Sequence, residues 1–439
     1  MNAWLNLVEN TETTTHTPTP HALFGAQVAY HQDGAGAVIS VLAEDLPAHR
    51  QRFGPRPRMT GAGGSQMIDT LQAINLTGRG GGHFPAAVKW RAHLSAGGGG
   101  YVVANGSESE PASGKDAALL RLRPHLVLDG LACAAETVGA GEAILWLHQG
   151  AHEAHAAVTR ALIERRHAGV SEPDMRIVAG PDRYLSGESS AILRSLSGGP
   201  ALPEFRRAPA TQTGINGQPT LVHNVETLAR AGLAARTGVS GHQPSTLLTI
   251  AWDNAKTVLE VDPHTRLCDV IQRITARSGN GVPRAVLVGG YGGMWVDWAS
   301  IAGLPADQTI LREHNISLGA GILAPLPRDA CGLVPTAKIA AYLAGSSARQ
   351  CGPCLFGLRS VSGLLAELAD GAARRRDTTR LQRFLGEIRG RGGCNHPDGA
   401  VRMISSATST FAQDIDSHLR HGRCLHSGAD GFFPVPEVS

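Results

Sequence analysis

The chain has 439 residues, a formal net charge of +3 and 18% charged residues, so it is long enough for several domains that each bury a core. So small a net charge gives no basis for nucleic-acid binding, which needs a clustered basic surface, and no run of 18 apolar residues predicts a membrane-spanning helix. The seven cysteines are an odd number in a long chain, which argues against a disulfide framework and favours a reducing, cytoplasmic location.

The first half of the chain predicts an α/β domain. Residues 11–20 are rich in Thr and Pro, so we expect residues 1–22 to form a flexible tail. Beyond this tail, short apolar segments alternate with longer helical ones, which predicts crossover connections and a mostly parallel sheet within residues 23–240. The predicted strands are 101–105, 143–148 and 175–180, and the predicted helices are 124–140 and 150–169.

The pattern changes near residue 245. Segments 246–252 and 256–261 flank a short turn and predict a β-hairpin, and an amphipathic helix over 267–279 precedes further strands. These elements predict a compact α+β module over residues 241–334. The rest of the chain, residues 335–439, contains successive amphipathic segments and predicts a small helical bundle.

A glycine-rich run, Gly78–Pro85, comes before the first predicted strand. Consecutive glycines allow backbone N–H groups to converge on an anion, because no side chain blocks close approach. The spacing does not match G-x-G-x-x-G, so a simple dinucleotide-binding fingerprint is excluded. The run is either a phosphate or flavin cradle, with Lys89 as a counter-charge, or an ordinary surface loop.

Three later segments carry polar residues that suit a binding site. The loop 105–111 follows a predicted parallel strand, where ligands bind in such sheets, so Glu108 and Glu110 are either site residues or ordinary loop acids. In segment 184–193, Ser186 or Ser189 is a candidate helix cap. In segment 221–228, Asn224 and Thr227 lie on one helical face, and His223 is either a base or a structural histidine.

The cysteines of the C-terminal domain leave several possibilities open. Residues 351–354 read CGPC, which also occurs in dithiol oxidoreductases, but there it follows a strand, whereas a helical segment precedes it here. Cys351, Cys354 and Cys394 suit an iron–sulfur cluster. With His396 they also supply the four ligands that zinc needs. Inert thiols are the remaining possibility.

Taken in order, these motifs resemble the flavin-bearing, NADH-oxidising subunit of respiratory complex I and its soluble relatives in NAD-reducing hydrogenases and formate dehydrogenases. The likeness extends from about residue 65 to 420 and includes LTGRGGGHFPAAVKW, NGSESEP, YLSGESSAIL, GQPTLVHNVETLA and the CGPC segment. It implies an FMN-binding α/β domain with a mostly parallel sheet, a ubiquitin-like β-grasp module of the SLBB type, and a C-terminal helical bundle with an iron–sulfur site.

The resemblance also assigns residues to cofactors. Phe84 would stack on the nicotinamide of NADH, and Glu110 would line the nicotinamide pocket. Cys351, Cys354 and Cys394 would ligate iron. The positions implied for FMN are Gly78, Arg79, Gly80, Gly81, Lys89, Asn105, Glu108, Gly187, Glu188, Asn224 and Thr227.

The sequence departs from the family pattern at several of these places. The first cysteine of the family's cluster motif is Ala348 here, so a [4Fe–4S] cluster needs a fourth ligand from hydroxide, Ser347, His396 or a partner, and a three-iron form is the alternative. Ser107 and Ser189 replace acidic residues that the family uses mainly for NADH. FMN and the cluster are therefore better supported than NAD(H).

Three hypotheses follow. The chain is a flavin enzyme that passes electrons from NAD(P)H through a cluster to a protein acceptor, or an electron-transfer subunit that exchanges electrons with a partner protein and does not oxidise NADH. The third is an assembly scaffold poor in cofactors. The altered nicotinamide positions favour the electron-transfer subunit over the NAD(P)H-oxidising enzyme. The retained glycines, Lys89 and cysteines disfavour the scaffold. The expected partners are ferredoxin-like or other redox subunits in a hetero-complex, peripheral to a membrane at most.

Overall fold

The computed structural model describes residues 22–24, 28–32, 38–40, 43–205, 208–275, 282–426 and 434–436. Almost all of the predicted flexible tail, residues 1–22, lies outside these ranges. Among the described residues, no helix is both long and apolar enough to cross a membrane. The elements form two sheets and a C-terminal group of helices.

The first sheet has four parallel strands in the order β5-β4-β3-β6. The first three strands are those predicted from the sequence. β6 lies beside β3, so that Asn105 pairs in register with Asn224. The strands are β3 (Tyr101–Asn105), β4 (Glu142–His148), β5 (Met175–Gly180) and β6 (Thr220–Asn224).

Helices cover this sheet as the crossover pattern predicts. The helix at 124–138 is buried over nearly its whole length, as is usual for a helix that is packed on several sides. It begins with Pro124 and ends before Gly139, whose φ of +68° is left-handed. The helices are α1 (Leu46–Phe53), α2 (Ala62–Ala73), α3 (Ala86–Ser95), α4 (Lys115–Leu122), α5 (Pro124–Val138), α6 (His152–His167), α7 (Ser189–Leu196) and α8 (Val225–Thr237).

Helices α5 and α8 approach closely where two glycines meet. A Cβ atom on Gly130 would lie 1.7 Å from the backbone oxygen of Leu228, and one on Gly232 would lie 2.8 Å from the backbone nitrogen of Gly130. Because backbone atoms give way only if the whole helix moves, this contact fixes the distance between the two helices.

We expect Gly130→Ala to lower the free energy of unfolding by about 3 kcal/mol or more, because overpacking against backbone is costly. Gly363→Ala is the matched control: it also lies in a helix, and its Cβ would meet nothing within 4 Å. There the higher helix propensity of Ala should raise stability by up to about 1 kcal/mol. Chemical denaturation of both variants measures the difference, and equal stabilities would contradict the account.

The second sheet has seven strands in the order β10-β9-β11-β7-β8-β1-β2. The predicted hairpin is present, and Asp253 and Asn254 both have positive φ in its two-residue turn, the geometry that matches strand twist. The strands are β1 (Val28–Gln32), β2 (Val38–Ser40), β7 (Thr246–Trp252), β8 (Ala255–Val261), β9 (Ala285–Val288), β10 (Met294–Asp297) and β11 (Ile322–Leu326).

Two strands of this sheet come from the N-terminal part of the chain. β1 pairs with β8, and the backbone N–H groups of Leu23 and Phe24 donate to the Glu260 carboxylate at 3.0 and 2.8 Å. The chain therefore contributes to the second sheet before it enters the first. Three helices accompany this sheet: α9 (Leu267–Thr275), α10 (Trp298–Ile301) and α11 (Gln308–Glu313).

The C-terminal helices pack on a shared apolar core with the edge of the second sheet. Trp295 of β10 meets Phe411 edge to face, with ring centroids 5.1 Å apart, and both side chains are buried. The helices are α12 (Leu333–Gly345), α13 (Leu358–Ala369), α14 (Arg375–Ile388), α15 (His396–Thr410) and α16 (Ala412–His421), with a π-helical turn at Pro353–Gly357.

Candidate functional site

The candidate site lies at the carboxyl ends of β3 and β6. These neighbouring parallel strands end at Asn105 and Asn224, which are paired in register, so the loops that follow them meet at one sheet edge. This is where ligands bind in open α/β sheets. The glycine-rich loop reaches the same edge, because a Cβ atom on Gly80 would lie 3.4 Å from Cβ of Asn224.

The glycine-rich loop is held at its two ends and open in its middle. The N–H of Gly78 donates to the Phe84 carbonyl at 2.8 Å, and the N–H of Arg79 donates to Oγ1 of the buried Thr227 at 2.9 Å. Gly81 has a φ of +101°, a conformation that favours glycine. Within the described residues, the N–H groups of Gly80, Gly81 and Gly82 have no hydrogen-bond acceptor. Three successive donors are therefore available to an anion.

Lys89 of α3 supplies a cation to the same region. Its Nζ donates to the carbonyl of Val222 in β6, and no carboxylate pairs with it among the described residues. Burial lowers the pKa of Lys89 to about 8, because desolvation disfavours the ammonium form. A lysine held without an acidic partner suits a bound phosphate or another anionic group.

The other polar residues assigned to FMN are engaged within the protein. Asn105 donates from Nδ2 to the Gly187 carbonyl at 2.8 Å. Glu108 accepts from the backbone N–H groups of Asp116 and Ala117 at 3.1 and 2.9 Å, at the N-terminus of α4. Asn224 caps α8 through the N–H of Glu226 at 2.9 Å. In this structure these side chains shape the loops around the open glycine N–H groups.

The segment 184–193 is built differently from the sequence expectation. The cap of α7 is Glu188, whose carboxylate accepts from the N–H groups of Ser190 and Ala191 at 2.8 and 3.2 Å. The prediction that Ser186 or Ser189 caps this helix is wrong: Ser186 donates to the Arg183 carbonyl at 2.8 Å, and Ser189 is already inside the helix. A longer acidic side chain one position earlier reaches the same donors.

Gly187 favours this arrangement because it leaves room for the neighbouring loop. A Cβ atom there would lie 2.8 Å from Oγ of Ser109 and 3.0 Å from the carbonyl of Ser107. A side chain at residue 187 would therefore force Ser109 to turn away and the Ser107 backbone to shift slightly. This contact brings the 105–111 loop and the start of α7 together at the edge of the sheet.

Together these features fit FMN. The open N–H groups of Gly80–Gly82 and the Lys89 ammonium, which has no carboxylate partner among the described residues, match an anionic, hydrogen-bond-accepting ligand. Asn105 and Asn224 lie next to these groups at the end of the sheet. His223, which precedes Asn224, accepts from the Trp90 indole N–H at 2.9 Å and is buried. That contact makes it part of the supporting core.

Phe84 and Glu110 have different surroundings. The Phe84 side chain is 55% exposed, so its ring is free to stack on a planar ligand. Glu110 instead accepts through Oε2 from the Tyr184 hydroxyl and the Tyr291 N–H, both at 3.0 Å. Its other oxygen, Oε1, is buried and has no hydrogen-bond partner among the described residues. Burial raises the pKa of Glu110 to about 7.

Glu110 should make the stability of the protein depend on pH. Because its folded-state pKa lies above its unfolded value of 4.5, the folded state holds the proton more tightly, and stability falls as pH rises from about 4.5 to about 7. The loss is at most about 3 kcal/mol for this shift. Glu110→Gln should flatten the profile, measured by denaturation at pH 5, 6 and 7.5. An unchanged slope in the variant would show that other groups cause it.

The three cysteines assigned to iron converge near the start of α13. Cys354 is 2% exposed, and burial raises the pKa of its thiol to about 12, with Cys351 and Cys394 close enough to contribute. Cys351 and Cys394 are half-buried. The pair Cys351 and Cys354 lies between α12 and α13, after a helix, which excludes the dithiol-oxidoreductase arrangement in which a strand comes first.

Mononuclear zinc does not suit this set. The three sulfur atoms do not all lie within 4.8 Å of one another, whereas sulfur ligands of one tetrahedral zinc lie about 3.8 Å apart. His396, the proposed fourth zinc ligand, binds the Leu343 carbonyl through Nε2 at 2.8 Å. Ser347 is different: its hydroxyl oxygen is buried and lies close enough to Cys354 to act on the pKa of that thiol. The donor set fits a cluster with three thiolates and one oxygen nearby.

Segment 184–188 of the α/β domain adjoins the residues around Cys394. The carboxylate of Glu188 is close enough to Cys394 to raise the pKa of its thiol, although burial is the larger cause. Tyr184, four residues before Glu188, packs edge to face on His396 with ring centroids 5.6 Å apart. One short segment of the α/β domain therefore contacts the residues that flank Cys394.

Sequence reasoning missed a buried ionic group beneath the site. Lys115 Nζ lies 2.6 Å from Asp116 Oδ1 and 3.1 Å from Glu226 Oε2, and Asn224 donates to Asp116 at 2.6 Å. All three charged side chains are buried. Adjacent Lys and Asp at the start of a helix look like surface residues, so only their position in the fold identifies them.

Two family models match this chain. Residues 71–232 match the Nuo51 FMN-binding domain, and residues 335–418 match the NADH-ubiquinone oxidoreductase-F iron-sulfur binding region. The matched ranges contain every residue that the sequence analysis assigned to FMN and to iron. The chain thus carries an FMN-binding α/β domain and an iron–sulfur binding region.

Similar proteins and structures agree with these matches. The chain is 24% identical to the F subunit of NADH-quinone oxidoreductase from Rhodobacter capsulatus, over 93% of this chain and 95% of the relative. It is 25% identical to the corresponding protein of Aquifex aeolicus, over 82% and 87%. A crystal structure of NAD+-reducing [NiFe]-hydrogenase in the H2-reduced state matches with a TM-score of 0.69 and 26% identity. That match covers 81% of this chain and 62% of the hydrogenase chain.

Proposed function

This chain belongs to the family of the flavin-bearing, NADH-oxidising subunits of respiratory complex I and related NAD-reducing hydrogenases, and we propose that it is an oxidoreductase subunit. In this proposal it accepts electrons from NAD(P)H at FMN and passes them to an iron–sulfur cluster and then to a partner protein. The observation that supports it most is the contact of segment 184–188, which contains two residues assigned to FMN, with the residues that flank Cys394.

FMN would supply the exchange between two-electron and one-electron chemistry when bound. The residues of the chain do the rest. Gly80, Gly81 and Gly82 present backbone donors, and the Lys89 ammonium attracts an anionic group. Asn105 and Asn224 hold the loops in place through the contacts described above. Hydride transfer itself needs no protein acid or base.

The nicotinamide would bind over the exposed ring of Phe84. Aromatic stacking of this kind contributes binding energy without a fixed charge partner. Glu110 lies nearby in sequence, but its carboxylate already accepts from Tyr184 and Tyr291, so we infer that it positions these tyrosines at the edge of the pocket.

The cluster would be held by Cys351, Cys354 and Cys394. Ala348 carries no ligand atom, so either a three-iron cluster forms or a fourth ligand completes a four-iron cluster. Of the fourth ligands inferred from the sequence, the Ser347 hydroxyl is the best placed, since His396 is engaged with Leu343. Replacing a thiolate changes the cluster charge and with it the reduction potential.

We further propose the finer domain organisation: an α/β domain over 23–240, a β-grasp module over 241–334 and a helical bundle over 335–439. The order β8-β7-β11-β9-β10, with β11 parallel to β7, supports the β-grasp assignment. Strand β1, which pairs with β8, would then be an addition to that module from outside its boundary.

The family's relatives are named as subunits of oxidoreductases, which supports a hetero-complex for this chain. We propose a ferredoxin-like or other redox subunit as its acceptor, and a cytoplasmic location that is peripheral to a membrane at most. The exposed side chain of Phe356, which follows Cys354 closely and is 73% exposed, supports contact with a partner near the cluster.

A second function is favoured by one specific observation. Ser107 and Ser189 stand where the family has acids used for NADH, and the Ser107 hydroxyl only faces that of Ser109, with the two oxygens 3.4 Å apart. A chain that binds NADH weakly would receive electrons from, or deliver them to, a protein instead.

The experiment is an anaerobic visible spectrum of the purified holoprotein before and after NADH is added. We expect flavin bands and a broad cluster shoulder, both bleached by NADH. Bleaching by dithionite but not by NADH would support the electron-transfer alternative. A protein that stays colourless after reconstitution with FMN, iron and sulfide would overturn both.

A further inference from the structure

A second set of metal-ligating side chains lies where the C-terminal end of the described chain meets the start of α12. Cys331 precedes α12, His418 is in the last turn of α16, and Cys424 follows the end of that helix. Their ligand atoms, two sulfur atoms and one imidazole nitrogen, all lie within 4.8 Å of one another. None of the three residues belongs to the cysteine set assigned to the cluster.

The spacing suits a single tetrahedral ion. Cys331 Sγ lies 3.5 Å from Nε2 of His418. In a tetrahedral site with Zn–S near about 2.3 Å and Zn–N near about 2.0–2.1 Å, the sulfur and nitrogen ligands lie about 3.6 Å apart. The Cys351 set, by contrast, is spread too widely for one ion.

The surroundings also suit a structural site. Cys331 and His418 are buried, and the backbone carbonyls of Leu368 and Ala369 lie near the His418 ring. Nδ1 of His418 is itself buried and has no hydrogen-bond partner among the described residues. Burial of the ligands is typical of structural rather than catalytic zinc, which keeps an open coordination position.

His426 adjoins this set through Cys424, although its ring nitrogens do not lie within 4.8 Å of all three ligand atoms. Nδ1 of His426 lies 4.0 Å from Cys424 Sγ and 3.0 Å from Oδ1 of Asp414. Asp414 is itself fixed by the N–H of Gly332 and by Arg284, at 2.9 and 2.7 Å. A carboxylate that holds Nδ1 of a histidine leaves Nε2 for a metal, an arrangement common around zinc.

We propose that Cys331, His418 and Cys424 bind one structural Zn²⁺, separate from the iron–sulfur site, with a water molecule or the neighbouring His426 as the fourth ligand. The ion would tie the segment after α16 to the turn before α12, where the second sheet joins the C-terminal helices. Thiolate and imidazole ligands in a small tetrahedral set favour zinc among the divalent metals. The inference does not depend on the proposed redox function.

The test is the zinc content of the full-length protein, measured by inductively coupled plasma mass spectrometry. The protein is purified without chelators and without metal-affinity chromatography. We expect one zinc per chain in the wild type and in Cys354→Ala, which lacks a cluster ligand. Cys424→Ser should lose the zinc, and because Cys424 lies after the last helix and is only half-buried, this variant should still fold. Circular dichroism checks that it does.

Cys268→Ser is the matched control, since Cys268 is also a single half-buried thiol outside the set, and it should retain zinc. Cobalt added to the zinc-free protein should give the visible bands of a tetrahedral thiolate site in the wild type and not in Cys424→Ser. Wild-type protein without zinc, equal zinc in Cys424→Ser, or a disulfide between Cys331 and Cys424 found by intact mass and peptide mapping would each overturn the proposal.

Discussion

Replacement of Lys89 by Met should weaken FMN binding by roughly 10- to 100-fold, because a charge-assisted hydrogen bond contributes about 1.5–3 kcal/mol. Met keeps the length and apolar body of the side chain and removes the ammonium. The variant should lose FMN during gel filtration, whereas the wild type retains it. FMN fluorescence after protein denaturation measures the remaining flavin.

The same variant separates a binding role from a structural one. Burial lowers the pKa of Lys89 to about 8 in the folded chain, below its ordinary value of 10.5, so its charged form destabilises the flavin-free protein below pH 8. The flavin-free Lys89→Met protein should therefore be at least as stable as the flavin-free wild type at pH 7, even though it binds FMN less tightly.

The affinity of the wild type for FMN should also fall as pH rises past 8, when Lys89 loses its proton, and that trend should be absent in Lys89→Met. Lys338→Ala, which removes an exposed lysine on α12, is the control and should keep wild-type flavin content. Full flavin retention by Lys89→Met would contradict the assignment.

Replacement of Cys354 by Ala should abolish the cluster. Cys354 is the most buried of the three thiols and lies near both of the others, so its loss leaves two thiolates, one fewer than the set that the account requires. Iron and acid-labile sulfide should fall to background, while FMN content stays at the wild-type level because Cys354 lies outside the flavin cradle. Cys268→Ser is the control, and it should keep its iron.

The reverse change is equally informative. Ala348→Cys restores a thiolate at the position where the family has one, and it should give a cluster that survives air exposure longer than the wild-type cluster does. Iron and sulfide measured over time in air provide the comparison. In the preceding test, a Cys354→Ala protein that keeps its iron and sulfide would contradict the assignment of Cys354 to the cluster.

Much of the fold could be predicted because local pattern decides it. The strands at 101–105 and 143–148 are short apolar segments between turn residues, and the helix at 124–138 has Pro at its start and Gly after its end. The hairpin over 246–261 has a two-residue Asp-Asn turn with positive φ. These signals depend on residues that are neighbours in sequence, so one sequence is enough to find them.

What could not be predicted depends on contacts between distant segments. The pairing of β1 with β8 joins residues more than two hundred positions apart, and no local pattern specifies it. The capping of α7 by Glu188 was missed because Ser is the more usual cap. The longer Glu188 side chain, one position before Ser189, reaches the first N–H groups of the helix. The buried group of Lys115, Asp116 and Glu226 was missed because charged residues at helix ends usually face solvent.

The candidate site shows the same division. The glycine run and the three cysteines were identifiable because their residue types are restrictive. The resemblance grouped Asn105, Glu108 and Asn224 with the groups that touch FMN, whereas the structure engages their side chains with the protein itself. In the described chain the N–H groups of Gly80, Gly81 and Gly82 are free of such contacts, and Lys89 is held only by the Val222 carbonyl, without a carboxylate partner; we expect these groups to make the first contacts with the cofactor.

The central claim is that electrons pass from NADH to FMN and from FMN to the cluster. The most direct test is to strip FMN from the protein, add NADH without air, and record the electron paramagnetic resonance signal of the cluster before and after FMN is restored. The account predicts that NADH changes the signal only when FMN is present. A cluster that responds to NADH without FMN, or one that fails to respond with FMN bound and yet responds to dithionite, would contradict it.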